Sequence, residues 1–282
     1  MQTSAFYVGA HFAVAAAYLA FAWRCWSGLR HGGGAQPRGP VTLLLPLAVL
    51  VHGALLAQDI LGGGGLRVGF AQALSASFFV ACVLLWIEGF FVALGGLYAL
   101  ITPLAALAAL LPLAFHGIPL AAEGSALALR VHLGVSILAY SLFTIAALHS
   151  VLMASIDRYL HQPSRDGSPS IGALLSQMPP LLALESLLFR QLSAGFLLLT
   201  ASLGSGIAFS EELFGRPLRF DHKTVFAIIA WLVFAGLLLG RYAFGWRGRV
   251  AQRWLFVGFL MLLLAYIGSR FVFEVVLDKT WL

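Results

Sequence analysis

The side chains of this chain that could do chemistry are few, and they gather in two places. The first is a short loop, Phe214-Gly-Arg-Pro-Leu-Arg-Phe-Asp-His-Lys-Thr224; together with Glu211 and Glu212 just before it, Arg216, Arg219, Asp221, His222 and Lys223 fall within 13 positions. Mixed charges beside aromatic rings suit either a surface that holds a ligand or a solvated connector. The second is the set of eight histidines. Imidazole ligates iron and other transition metals, and two such ligands on neighbouring helices can hold a haem. His132 also heads a series with Ser136, Tyr140 and Thr144, spaced by four. Each step of four drifts about 40° around a helix, so the series forms a slow polar stripe. It either lines a cavity leading inward from His132, or consists of hydroxyls bonding the i−4 carbonyl and adjacent helices.

The elements that must position these groups are membrane helices. The chain has 282 residues, 61% hydrophobic and only 10% charged, with a mean hydropathy of +0.94. A soluble domain carries more charge and shorter apolar runs. Runs of about 20 apolar residues span a bilayer. The pattern predicts an all-α, polytopic membrane protein with eight transmembrane helices in one domain, 1–282. The spans fall near 4–23, 41–58, 70–87, 90–112, 130–152, 192–209, 223–241 and 254–274. Residues 181–191 read as a helical lead-in to the sixth span, placed after Pro179 and Pro180. Asp59–Gly69 reads as a turn, Glu88-Gly89 as a tight break, and 154–180 as a polar segment. The first basic residue, Arg24, follows the first apolar run, so residues 1–23 read as a retained helix rather than a signal peptide.

Loop charge sets the orientation. Ten Arg (24, 30, 38, 158, 165, 190, 241, 247, 249 and 253) fall on one side, and Arg67, Arg130, Arg216, Arg219, Lys223 and Lys279 fall on the other. The positive-inside rule makes the first side cytoplasmic and puts both termini on the outer, periplasmic side. The charged loop is then outside, with His11, His52, His116, His132 and His222 in the outer half. His31, His149 and His161 lie at the inner side.

Several chemistries are missing. Cys25 and Cys82 are far apart and form no C-x-x-C pair, which argues against a thiol relay or a cysteine metal site. No G-x-x-x-x-G-K-[ST], H-E-x-x-H or G-x-S-x-G motif occurs. Glu88, Glu185 and Glu274 lie near helix ends, which disfavours a carboxylate-driven transporter. The net charge of +6 reflects Arg in short loops and gives no reason to expect nucleic acid.

From about residue 130 to 275 the chain resembles the cytochrome c assembly family of membrane proteins (CcsA, ResC, CcmC and relatives). The resemblance is carried by Val131-His-Leu-Gly-Val-Ser-Ile-Leu-Ala-Tyr140, Met178-Pro-Pro-Leu with Glu185, Ala230-Trp-Leu-Val-Phe234, Gly245-Trp-Arg-Gly248 and Leu264-Ala-Tyr-Ile-Gly-Ser-Arg270. Haem-handling members carry a loop of the form W-G-x-x-W-x-W-D-P-K-E. Gly215, Asp221 and Lys223 match it here. The tryptophan positions hold Phe214, Leu218 and Phe220, the proline position holds His222, and the glutamate position holds Thr224. His132 matches the first of the family's two outer histidines. The second would fall in Gly268–Glu274, which holds none, and the family's Leu-His-x-Arg reads Leu238-Leu-Gly-Arg241.

The resemblance implies an inner-membrane accessory that binds or handles haem, without turnover of its own, and with a degenerate tryptophan-rich loop. His132 would be an axial ligand, with His52 or His222 as its partner. Phe214 and Phe220 would form the platform beside Asp221, while Arg216, Arg219 and Lys223 pair with propionates through charge-assisted hydrogen bonds. No metal other than haem iron is expected. The partners expected are membrane lipid, haem and a membrane protein. Two other readings stay open: a haem-free scaffold or accessory subunit for an ion-transport or stress-response partner, acting through 154–191 or the charged loop, and a regulator of haem synthesis.

Overall fold

The computed structural model describes residues 5–30, 40–62, 67–91, 94–117, 126–161, 181–208, 222–268 and 271. Eight α-helices follow one another among them: α1 (Ala5–Arg30), α2 (Leu44–Leu61), α3 (Phe70–Glu88), α4 (Gly95–Ala114), α5 (Ala126–His161), α6 (Leu181–Ala208), α7 (His222–Phe244) and α8 (Gly248–Leu263). A 3-10 turn, Pro40–Leu43, leads into α2, and a π-helical turn, Leu264–Gly268, continues α8. Seven helices are long and apolar enough to cross a membrane. The protein is therefore a polytopic, all-helical membrane protein. α8 is a 16-residue helix and is not among the seven.

The expected boundaries shift in several places, α1 among them, which runs to Arg30 rather than 23. α5 runs to His161, well past 152, so Asp157 and Arg158 are helical. Asp157 Oδ2 meets Arg249 Nη2 at 3.4 Å, so the polar end of the helix has a partner. The lead-in 181–191 and the sixth span are one 28-residue helix. Asp59 lies inside α2, not in the turn after it. The fourth span begins at Gly95, because Gly89–Phe91 form the turn that closes α3.

Burial inverts the soluble pattern. Large apolar side chains such as Leu50, Leu197 and Leu239 face outward, where hydrocarbon is their solvent. Alanines, serines and buried histidines are packed inside together with a second set of large apolar side chains. Two clusters form the interior. Tyr18, Leu85, Leu97 and Ile101 belong to the first, built from α1–α4. Phe143, Leu192, Phe234 and Leu237 belong to the second, built from α5–α8. The rings of Phe143 and Phe234 stack at 4.0 Å between centroids and 14° between planes. α5 belongs to both: Ile145 points into the first cluster, and Phe143 and Ala146 into the second.

The turn between α7 and α8 is the best-defined connection. Gly245 (φ 66°) and Gly248 (φ 55°) take the left-handed conformation that ends one helix and allows the next to begin. The Trp246 N–H closes back on the Gly240 carbonyl at 3.1 Å, and its ring lies directly on Gly240. Arg241 Nη1 donates to Glu185 Oε1 at 2.6 Å and to the Trp246 carbonyl at 3.4 Å, with its guanidinium 4.5 Å from the centre of the Phe189 ring. Arg247 Nε adds a second charge 3.6 Å from Glu185. The sequence motifs Glu185 and Gly245–Gly248 thus meet in one knot joining α6, α7 and α8.

A Cβ on Gly240 would stand 2.3 Å from Trp246 Cε3, so Gly240→Ala must displace that ring. It should destabilise the detergent-solubilised protein by about 1–3 kcal/mol. Gly204, with nothing within 4 Å of an added Cβ, is the control. Gly204→Ala should leave the unfolding midpoint unchanged or slightly raised.

Candidate functional site

The polar stripe of α5 faces α6 and α8, and its hydrogen bonds have a direction. The Ser205 hydroxyl donates to the Ser202 carbonyl at 3.0 Å, so it must accept from His132 Nδ1, 2.9 Å away. The Ser136 hydroxyl donates to the His132 carbonyl at 2.7 Å, so Ser202 Oγ, 2.6 Å away, donates to Ser136. Only one arrangement satisfies all four bonds, and it closes a ring between α5 and α6. It also fixes the tautomer: Nδ1 carries the proton and Nε2 keeps its lone pair. A bond that ties down one imidazole nitrogen and leaves the other free is how a metal-ligating histidine is held. Deeper along the stripe, Tyr140 donates to the Leu262 carbonyl at 2.7 Å, just before α8 loosens into its π turn. Thr144 donates to the Tyr140 carbonyl at 2.8 Å. Below His132 the stripe is therefore interhelical and i−4 bonding rather than a lining.

His132 is half-buried and lies at the start of α5. Lys223 acts electrostatically on its ring, so the beginning of α7 stands at the same end of the bundle. His222 and Lys223 are the first two residues of α7 and are exposed. Phe214, Arg216, Arg219, Phe220 and Asp221 lie outside the described residues. The structure therefore brings Lys223 within electrostatic reach of His132 and leaves the neighbouring His222 exposed.

His52, expected as an alternative partner for His132, sits elsewhere. It is fully buried among α1–α3, with Nδ1 3.2 Å from Tyr18 Oη and Nε2 2.9 Å from Ser75 Oγ. Both nitrogens are occupied, which leaves no lone pair for iron. Its place in the outer half of the sequence pattern gives no sign that two hydroxyls on other helices hold it. Leu239, at the histidine position of the Leu-His-x-Arg pattern, is 66% exposed on the outside of the bundle.

Other buried polar groups escaped the sequence reading. Tyr7 donates to Asp59 Oδ1, and His11 Nε2 lies 3.9 Å from Asp59 Oδ2. Tyr7 and His11 stand at i, i+4 on α1, and their partner Asp59 falls in a stretch that reads as a turn in the sequence. His149, read as interfacial, is fully buried with neither ring nitrogen hydrogen-bonded, and Gln191 beside it donates to Glu88 Oε2 at 3.0 Å. Among the described residues, no three His, Cys, Asp or Glu stand close enough to hold a metal. Cys25 and Cys82 are free and buried.

The family model described as cytochrome C assembly protein matches residues 41–277. The chain belongs to the cytochrome c assembly protein family. The match reaches further toward the N-terminus than the motif resemblance over 130–275. The chain is 36% identical over 146 residues to the inner membrane protein YpjD of Escherichia coli K12, covering 52% of each chain. It is 31% identical over 157 residues to the cytochrome c biogenesis protein CcsA of Prochlorococcus marinus AS9601, covering 51% of each. It thus spans about half the length of the curated relatives it matches. No solved structure matches it. With its seven apolar helices, this family membership places the chain in the bacterial inner membrane as a multi-pass protein.

Ser205→Ala removes the acceptor that fixes the His132 tautomer. Interhelical hydrogen bonds in membranes contribute only about 0.6 kcal/mol on average, so the protein should still fold with a slightly lower unfolding midpoint. Nitrogen NMR of histidine-labelled protein should show His132 as the Nδ1–H form in the native chain and as a tautomer mixture in the variant.

Proposed function

We propose that this chain is a haem-handling accessory of the cytochrome c assembly type, binding haem as cargo at the end of the bundle where His132 and the α7 N-terminus meet. The observation that carries the reading is the hydrogen-bond ring, which engages His132 Nδ1 and leaves Nε2 without a partner among the described residues, in a half-buried position. Haem supplies an iron centre that takes an imidazole nitrogen. The chain supplies that nitrogen, holds its ring still through Ser205, and places Lys223 where a propionate carboxylate can pair with it. His222 is the partner histidine in this reading, since it stands beside Lys223 and is exposed. Arg216, Arg219, Asp221, Phe214 and Phe220, which precede α7 in the sequence, are included in this reading as haem contacts on the strength of the family's loop pattern. His52 is left out because both its nitrogens are bonded.

The same reading takes α8 and the residues after it as an eighth crossing. It puts both termini and the His132 end on the outer side, and it treats 1–282 as one transmembrane domain. The name of the CcsA relative, a cytochrome c biogenesis protein, supports placing this chain's work in c-type cytochrome biogenesis.

Haem titration of the purified protein in detergent tests the proposal. A Soret band should form with one haem per chain and be lost in His132→Ala. It should shift or weaken in His222→Gln and persist in His52→Gln. A protein that stays colourless with excess haem overturns the reading and leaves a haem-free membrane scaffold.

A further inference from the structure

His11 and Asp59 pose a charge problem that their own hydrogen bonds do not solve. The Ala109 carbonyl can only accept, so His11 Nδ1, 2.6 Å away, carries a proton. Asp59 Oδ1 accepts from Tyr7. That leaves His11 Nε2 and Asp59 Oδ2, both buried, both without a hydrogen-bond partner, and 3.9 Å apart. The His11 and Asp59 side chains are 1% and 8% exposed. Two facing lone pairs in a dry interior repel, so either a proton on one of them or a cation bound by both must supply positive charge there.

Distance narrows the choice. A proton shared between nitrogen and oxygen wants a separation of about 2.7–3.2 Å. Two ligands about 2.1 Å from a zinc-like ion stand about 3.4 Å apart at a tetrahedral angle and about 3.9 Å at a wider one. The observed gap is too long for a hydrogen bond; it suits an ion pair with a protonated imidazole, and it equally suits two ligands of one metal ion. The surroundings are also those of a metal site. The histidine gives its second N–H to a backbone carbonyl, and the carboxylate is held by a phenol, which are the outer contacts that fix ligand orientation.

We propose that His11 and Asp59 bind a first-row divalent transition metal such as Zn²⁺. Among the described residues, no third protein donor is already in ligating position. His116, exposed on the coil after α4, acts electrostatically on Asp59 and is the third ligand, drawn in when the ion arrives. Water fills the remaining position. Imidazole and carboxylate are the donors that zinc and its neighbours accept, whereas Mg²⁺ and Ca²⁺ prefer oxygen alone. Ile60, next to Asp59, packs in a small cluster with Leu129 and Leu133 of α5, so the site shares the His132 end of the bundle. It uses none of the residues assigned to haem.

Metal binding to the full-length, chelator-treated protein in detergent tests this. Zn²⁺ should bind with one high-affinity equivalent and raise the unfolding midpoint. Co²⁺ should give visible bands of a mixed nitrogen–oxygen site. Asp59→Asn and His11→Gln should weaken binding by about 10–100-fold or more. His116→Gln changes only an exposed residue, so the protein should fold normally while Zn²⁺ affinity falls. His132→Ala should keep the site. If the native protein binds no Zn²⁺, or if all three site variants bind it as well as the native chain, the proposal is overturned and a proton supplies the charge.

Discussion

A hydrogen-bonding side chain within a bilayer has no water to turn to, and every buried polar group here is arranged by that fact. Tyr98 finds the Leu85 carbonyl and Thr102 the Tyr98 carbonyl, while His52 finds Tyr18 and Ser75. Gln72 reaches back to its own helix start at Gly69 and across to the Phe115 carbonyl, clamping the beginning of α3 to the end of α4. Apolar packing alone cannot drive helices together in lipid, because the tails are as apolar as leucine. Directional bonds and close contacts between small residues choose the neighbours instead.

The two halves of the molecule use this constraint differently. In α1–α4 the described polar groups lie deep and, apart from the His11–Asp59 gap, find partners on their own or a neighbouring helix. In α5–α8 they form the ring around His132 at one end and the Glu185–Arg241–Arg247 knot at the other. The ring leaves one imidazole nitrogen unused at a half-buried position. The knot joins two motifs separated by some sixty positions. One end of the second half is thus built to present a group, and the other to hold three helices in register. His149 and Gln191 lie along α5 and α6 between them, at the seam with α3, and their unbonded atoms mark the least satisfied part of the interior.

Much of this was legible from residue types. The apolar runs gave the helices, since a backbone in hydrocarbon has little alternative to a helix. The glycines of Gly245–Gly248 gave the turn, because two left-handed residues are needed there. Boundaries were less legible. Asp59 and Asp157 looked like loop residues because an acid in an apolar chain suggests water, yet each is helical and has a neighbour on another helix. His52 and His132 looked alike as membrane histidines. Nothing local separates an imidazole whose two nitrogens are taken from one that keeps a lone pair.

The sequence by itself determined that this is a multi-pass helical membrane protein with the motifs of the cytochrome c assembly family. Hydropathy, glycine placement and short matched stretches are properties of neighbouring residues along the chain. Only the tertiary structure decided which histidine is free and which carboxylate faces an imidazole. It also decided which serines fix a tautomer, because hydrogen-bond direction depends on partners that the sequence places far apart. Ser136 and Ser202, or Tyr7 and Asp59, become one site only when helices pack side by side.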